Sequence, residues 1–216
     1  MTIEYKYEHF LVRAIGLEGV EAKRYVAQVV GMLRALDSLR TGRAVQTFIR
    51  AASQWTRVQP YDGRGGPCNA WGGGNNDGGS IFFTPLTFAK APCASSGAAG
   101  NTPMEILMHE LVHVVRVISG NWLKGSVTKG DEELIAVMIT NILSSELNRC
   151  LRGGYGSFPC VNSPIGEYQT SYYKAYLPLI ETVHKQNQSL ARVLARIDVP
   201  FNPIRMYYQR TQPGVW

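Results

Sequence analysis

The chain is poor in charge. Asp, Glu, Lys and Arg make up 18% of its 216 residues, and the basic residues are scattered, with Lys23 and Arg24 the densest pair. A net charge of +6 spread this thinly reads as a solvated surface and provides no continuous stripe to track a phosphate backbone, so nucleic acid is not an expected partner. Long apolar runs are missing too. Nothing approaches the roughly 20 residues that a membrane-spanning helix needs, so no membrane span is expected. The first residues, MTIEYKYEHFLVRAIG, carry Glu4, Lys6, Glu8 and His9 where a cleavable signal peptide would have its apolar stretch. There is no close CxxC pair of the kind that builds zinc ribbons, and no GKS or GKT after the glycine-rich stretch, which argues against a phosphate-binding loop.

What is present is apolar: 45% of the residues, spread along the whole length, enough to build a core for one domain spanning 1–216. The four cysteines, Cys68, Cys93, Cys150 and Cys160, are even in number. Cys150 and Cys160 bracket the turn LRGGYGSFP, which suits a local bridge, and a Cys68–Cys93 bridge would close the glycine-rich loop. The alternative is four free thiols, since bridges require an oxidising compartment such as a periplasm.

Apolar residues recur at helical spacing from Glu18 to Leu36, and a second helix is expected after Thr41 as its N-cap. WTRVQPY (Trp55 to Tyr61) and SIFFTP (Ser80 to Pro85) have the β-branched and aromatic composition of strands, SIFFTP being read as an edge strand. Alternation along it should turn one of Phe82 and Phe83 to the core and the other to the cleft. The intervening residues 63–79 are too rich in glycine for a regular element and are expected to form a mobile loop. Thr102, Pro103 and Glu105 form a capping box for a helix that Gly120 ends. A further helix is expected from Asp131 to about Arg149, then two or three helical pieces broken near Pro178 and Asn187, and a mostly irregular tail.

The capped helix carries the chemistry. His109, Glu110 and His113 spell HExxH. Residues four apart stack on one helix face, so both imidazoles can reach one metal ion, and Glu110 leans to the same side. Zinc held by two neutral imidazoles and one more ligand keeps a position open for water, lowers its pKa to about 7, and needs a nearby carboxylate to take the proton. The metzincin third histidine is absent, because Arg116 and Ser119 stand where its Gly and His belong. His9 and His184 are isolated and read as ordinary histidines. That leaves Glu132 and Glu133, which start the next helix, as the candidate third ligand. In the tail, Arg205 and Tyr208 form an RxxY that can stabilise an oxyanion near a metal, with Tyr207 as the alternative tyrosine.

The segment GDEELIAVMITN resembles the ligand helix of gluzincins such as lethal-factor-type peptidases and clostridial neurotoxin light chains, and this resemblance favours Glu133. Taken together, LRTGRAVQTFIRAAS, SIFFTP, MHELVHVVRVISG, GDEELIAVMITNI and FNPIRMYY resemble bacterial effector zinc peptidases, which include type III effectors and metallopeptidase toxins joined to type VI secretion spike proteins. The resemblance implies an α+β, zincin-like fold, mainly helical with a small mixed sheet, and a metal site between the HExxH helix and a following helix. It implies one zinc per chain held by His109, His113 and Glu133, Glu110 as general base, and Arg205 and Tyr208 as catalytic helpers. The sequence departs from that family in its glycine-rich insert and four cysteines, which point to a periplasmic target and to the spike-toxin branch, hence to an antibacterial effector secreted or delivered into a target cell. A protein or peptide would be its substrate, and an immunity protein and a secretion spike its partners. Two other readings stand beside it: a hydrolase of peptidoglycan peptides using the same site, and a non-catalytic binding or delivery module with structural zinc.

Overall fold

The computed structural model describes residues 2–63, 68–75, 77–90, 93, 98–123, 129–154 and 157–214. It is α+β, mainly helical with a small mixed sheet, and divides into two compact units, Met1–Ser96 with Asn101–Gly120 and Gly97–Gly100 with Asn121–Trp216. Among the described residues no helix is long and apolar enough to cross a membrane.

The first unit is a sheet with helices on it. Strands β1 (Glu4–Tyr7), β2 (Phe10–Arg13), β3 (Thr56–Gln59), β4 (Trp71–Asn75) and β5 (Gly78–Phe82) lie in the order β1-β2-β3-β5-β4. The pairs β2–β3 and β3–β5 are parallel and the two outer pairs antiparallel. The helices are α1 (Gly19–Ser38), α2 (Arg40–Arg50), α3 (Pro85–Phe88) and α4 (Pro103–Ile118). Val12, Val58 and Ile81 are register neighbours and fully buried, as are Leu33 and Leu36 of α1, Val45 and Ile49 of α2, and Leu107 and Leu111 of α4. Each such side chain contributes about 1.5–3 kcal/mol of hydrophobic stabilisation. The alternate strand positions Arg57, Ser80 and Phe82 are only half-buried, so the sheet has one core face and one more open face.

Three expectations are corrected and two strands added. The first two strands were not anticipated, because EYKY and FLVR are short and charged. Helix α2 starts at Arg40 with Leu39 as its N-cap, and Thr41 is buried within it. The strand in SIFFTP is β5, which sits between β3 and β4, so it is not an edge. The edge is β4, and its sequence is WGGGN: residues 71–75, 78 and 79 are paired strand, where an irregular loop was expected. Residues 64–67 and 76 of that stretch lie outside the described residues. Phe83 is fully buried and stacks on Phe88, whereas Phe82 is half-buried against Trp71, so the two rings do part company.

The glycines of this segment have a packing reason. A Cβ on Gly72 would stand 2.4 Å from the backbone oxygen of Glu110, and one on Gly79 would stand 2.5 Å from Val114 Cγ1. Glycine therefore lets β4 and β5 approach α4 more closely than any side chain allows.

The second unit holds α5 (Lys129–Glu146), a hairpin of β6 (Arg152–Gly154) and β7 (Ser157–Cys160), then α6 (Ile165–Gln186), α7 (Gln188–Ala195) and α8 (Pro203–Thr211). Ile135 to Ile139, with Ile142 and Leu143, are buried, making α5 a core helix. Helix α6 runs through Pro178 without stopping. The proline's missing N–H and bulky ring appear as a kink, with Tyr176 at φ −114°, ψ 18°. The expected break at Asn187 is present, its side chain capping α7 by accepting from Leu190 N–H. The tail is more ordered than expected. Asn202 accepts from Arg205 N–H at 3.0 Å and donates to the carbonyls of Leu194 and Ile197, so α8 starts on a buried cap with Pro203 at its first position. Both disulfides form, Cys68 with Cys93 and Cys150 with Cys160.

Candidate metal centre

Helix α4 begins with the capping box as read from the sequence. Thr102 Oγ1 accepts from Glu105 N–H at 3.3 Å, and Glu105 Oε2 accepts from both the N–H and the hydroxyl of Thr102, at 3.1 and 2.6 Å. The helix is buried on nearly every side from Leu107 to Arg116. Such a helix is held by packing all round, and three polar side chains ride on it: His109, Glu110 and His113, exposed by only 8%, 7% and 4%.

The two imidazoles converge. Their Nε2 atoms are 3.0 Å apart and their rings stand edge to face, 82° apart with centroids 4.7 Å from each other. His109, His113 and Glu133 each offer one ligand atom, and these atoms lie within 4.8 Å of one another, a group that could hold a metal ion. Among the described residues it is the only group of three or more His, Cys, Asp and Glu found in this arrangement. The donor set fits zinc: two imidazole nitrogens about 2.0–2.1 Å from one tetrahedral ion sit about 3.3 Å apart, close to the separation here.

Glu132 has another task. It is buried at 1% exposure, and its Oε1 accepts from Leu123 N–H at 2.8 Å, tying the segment before α5 to that helix. Tyr208 is fully buried with its hydroxyl 2.9 Å from His184 Nδ1, and burial raises its pKa above the ordinary value. Arg205 lies 3.4 Å from Asp198, and Tyr207 packs its ring on His184. His184, expected to be ordinary, is thus the partner of both tail tyrosines. His9 stacks on Trp55.

Two residues near the HExxH segment belong to no motif of the sequence. Arg116, one turn after His113 on the same helix, is 1% exposed, and a guanidinium so buried must be compensated by its surroundings. Gly72 backs onto the peptide of Glu110. Its signal was the glycine run itself, which reads as strand only when a partner backbone is known to pass close by.

No protein-family model matches the chain, and neither does any curated protein or solved structure.

Proposed function

We propose that this chain is a zinc-dependent peptidase in which His109, His113 and Glu133 hold one metal ion and Glu110 is the general base. The observation that carries the reading is the convergence of three ligand atoms within 4.8 Å, with the buried Glu110 on the helix that supplies both histidines. When bound, zinc supplies a Lewis acid that polarises a peptide carbonyl and makes water acidic near neutral pH. The chain's own residues do the rest. The packed circumference of α4 holds both imidazoles in one orientation, which reduces the reorganisation needed when a charged intermediate forms. Glu110 takes a proton from the attacking water and returns it to the leaving amine, work worth about 10²–10⁴ in rate.

A peptide substrate is favoured by β4. This edge strand runs against the backbone of Glu110, and one side of its ladder is unpaired among the described residues, as strand addition by an extended peptide requires. The two disulfides favour action in an oxidising compartment, in keeping with an effector delivered to a periplasm alongside its spike and immunity partners.

The test is Glu110→Gln. The variant should keep about one zinc per chain by elemental analysis, keep its thermal unfolding midpoint, and lose hydrolysis of unfolded casein. Casein hydrolysis at the wild-type rate would falsify the catalytic assignment. Purified sacculi run in parallel separate a protein substrate from cell-wall peptides.

A further inference from the structure

Far from the histidines in sequence, the first unit has a second exposed sheet edge. Strand β1 is the outermost strand opposite β4. Ala14 N–H donates to Ile3 C=O at 2.9 Å, and the register pairs Tyr5 with Val12. In an antiparallel ladder the bonded positions alternate. Ile3, Tyr5 and Tyr7 therefore turn their backbone groups to β2, and Glu4 and Lys6 turn theirs outward, unpaired among the described residues.

The side chains of this edge are unusual. Tyr5 shares the face of Val12, which is fully buried, yet Tyr5 is 44% exposed. It is exposed because a trough of about 380 Å³ opens beside it, lined by Ile3, Tyr5, Val26 and Val30, with Lys23 and Arg34 of α1 along its margin. No acid lines it, and neither cation has an acidic partner among the described residues. Arg34 lies 5.5 Å over the ring of Tyr7. Lys23 and Arg34 are eleven residues apart on one helix, about 16 Å along its axis. An extended chain covers that distance in about five to six residues, and six is the spacing that turns both ends to one face.

We propose that this trough docks an extended, acidic segment of a partner protein, which adds to β1 as a sixth strand. Its backbone pairs with Glu4 and Lys6, its apolar residues on one side fill the trough, and carboxylates six residues apart on that same side meet Lys23 and Arg34. Main-chain pairing provides affinity, and the alternate side chains and the two charges provide specificity. A second copy of this chain is disfavoured as occupant, since each copy would bring the same two cations to the contact.

The probe is a capped heptapeptide with glutamate at both ends, valine at its third and fifth positions and threonine at the other three, so that glutamates and valines share one face. Its counterpart carries lysine at both ends. The glutamate peptide should bind at least ten-fold more tightly, weaken with added salt, and slow amide hydrogen exchange at Glu4 and Lys6. The double variant Lys23→Glu, Arg34→Glu should reverse the preference while keeping zinc content and casein hydrolysis. The milder Lys23→Gln, Arg34→Gln should abolish the preference and serves if the first variant folds poorly. Equal binding of both peptides, binding of neither, binding without protection at Glu4 and Lys6, or dimerisation through β1 overturns the proposal.

Discussion

Gly72 is no ligand of the candidate metal centre, yet its close approach to Glu110 yields a quantitative prediction. In Gly72→Ala the new methyl group would stand 2.4 Å from the Glu110 carbonyl oxygen and 2.9 Å from its carbon and Cα. A comfortable separation is about 3.5 Å, so the strand and helix must part by about 1 Å. All the opposing atoms are backbone, and no side chain can rotate away. Overpacking of this kind costs about 1–3 kcal/mol, offset by the roughly 0.5–1 kcal/mol that alanine gains over glycine within a strand. For a chain this long, a net loss of about 1–2 kcal/mol lowers the unfolding midpoint by about 2–8 °C. Activity should fall further than stability, because a shift of about 1 Å at a catalytic group can cost about 10²-fold in rate. The control is Gly166→Ala in α6, where the methyl group meets nothing within 4 Å and the midpoint should rise slightly. Thermal unfolding followed by circular dichroism and initial rates on unfolded casein decide the matter. A Gly72→Ala protein that melts at or above the wild-type temperature and keeps its rate would show that β4 does not set the position of Glu110.

Further expectations follow from the same structure. Glu133→Ala should lose zinc with little change in the metal-free melting temperature. Glu132→Ala should keep zinc and lose about 1–3 kcal/mol, because Leu123 N–H is left without its acceptor; zinc loss from the Glu132 variant alone would exchange the two roles. Reducing the disulfides should remove about 3 kcal/mol each by the chain-entropy estimate for separations of 25 and 10 residues, read as a fall in the denaturation midpoint. An unchanged midpoint under strong reductant would refute this. Burial, then Arg192 and Lys185, hold the His184 pKa below its ordinary 6.5, so the neutral ring is favoured in the fold. Its stabilising contribution is present above pH 6.5 and lost as pH falls through the lowered pKa. The stability gap between wild type and His184→Gln should therefore narrow on acidification, and an NMR titration placing His184 at or above 6.5 would contradict the assignment.

What could be read from the sequence was whatever rests on local chemistry or a single period. The Thr102–Glu105 capping box, the α4 and α5 patterns and the His109–His113 spacing each involve residues within a turn or two of one another, so the chain states them directly. The preference for Glu133 came from resemblance. Residues 132 and 133 differ by about 100° around one helix, and nothing local says which of them points to the histidines and which to Leu123. The tail was misread because three prolines in VPFNPIRMYYQRTQPGVW outweighed the cap that Asn202 supplies to α8, and that cap becomes visible only when its bonds to Leu194 and Ile197 are known.

The glycine run shows the deeper limit. In WGGGN, glycine signalled freedom, since its backbone loses the most entropy on ordering and it has no side chain to pack. In the fold Gly72 of this run, like Gly79 beyond it, marks constraint: there two elements come too close for a Cβ, and at Gly72 that closeness brings an edge strand up to the backbone of Glu110. The two meanings have opposite consequences for substitution, because alanine stabilises a free glycine and displaces a constrained one. Composition cannot tell them apart, and only the identity of the opposing atom can. Here that atom belongs to the helix of His109 and His113, so the least regular-looking stretch of the sequence is part of what fixes the proposed general base.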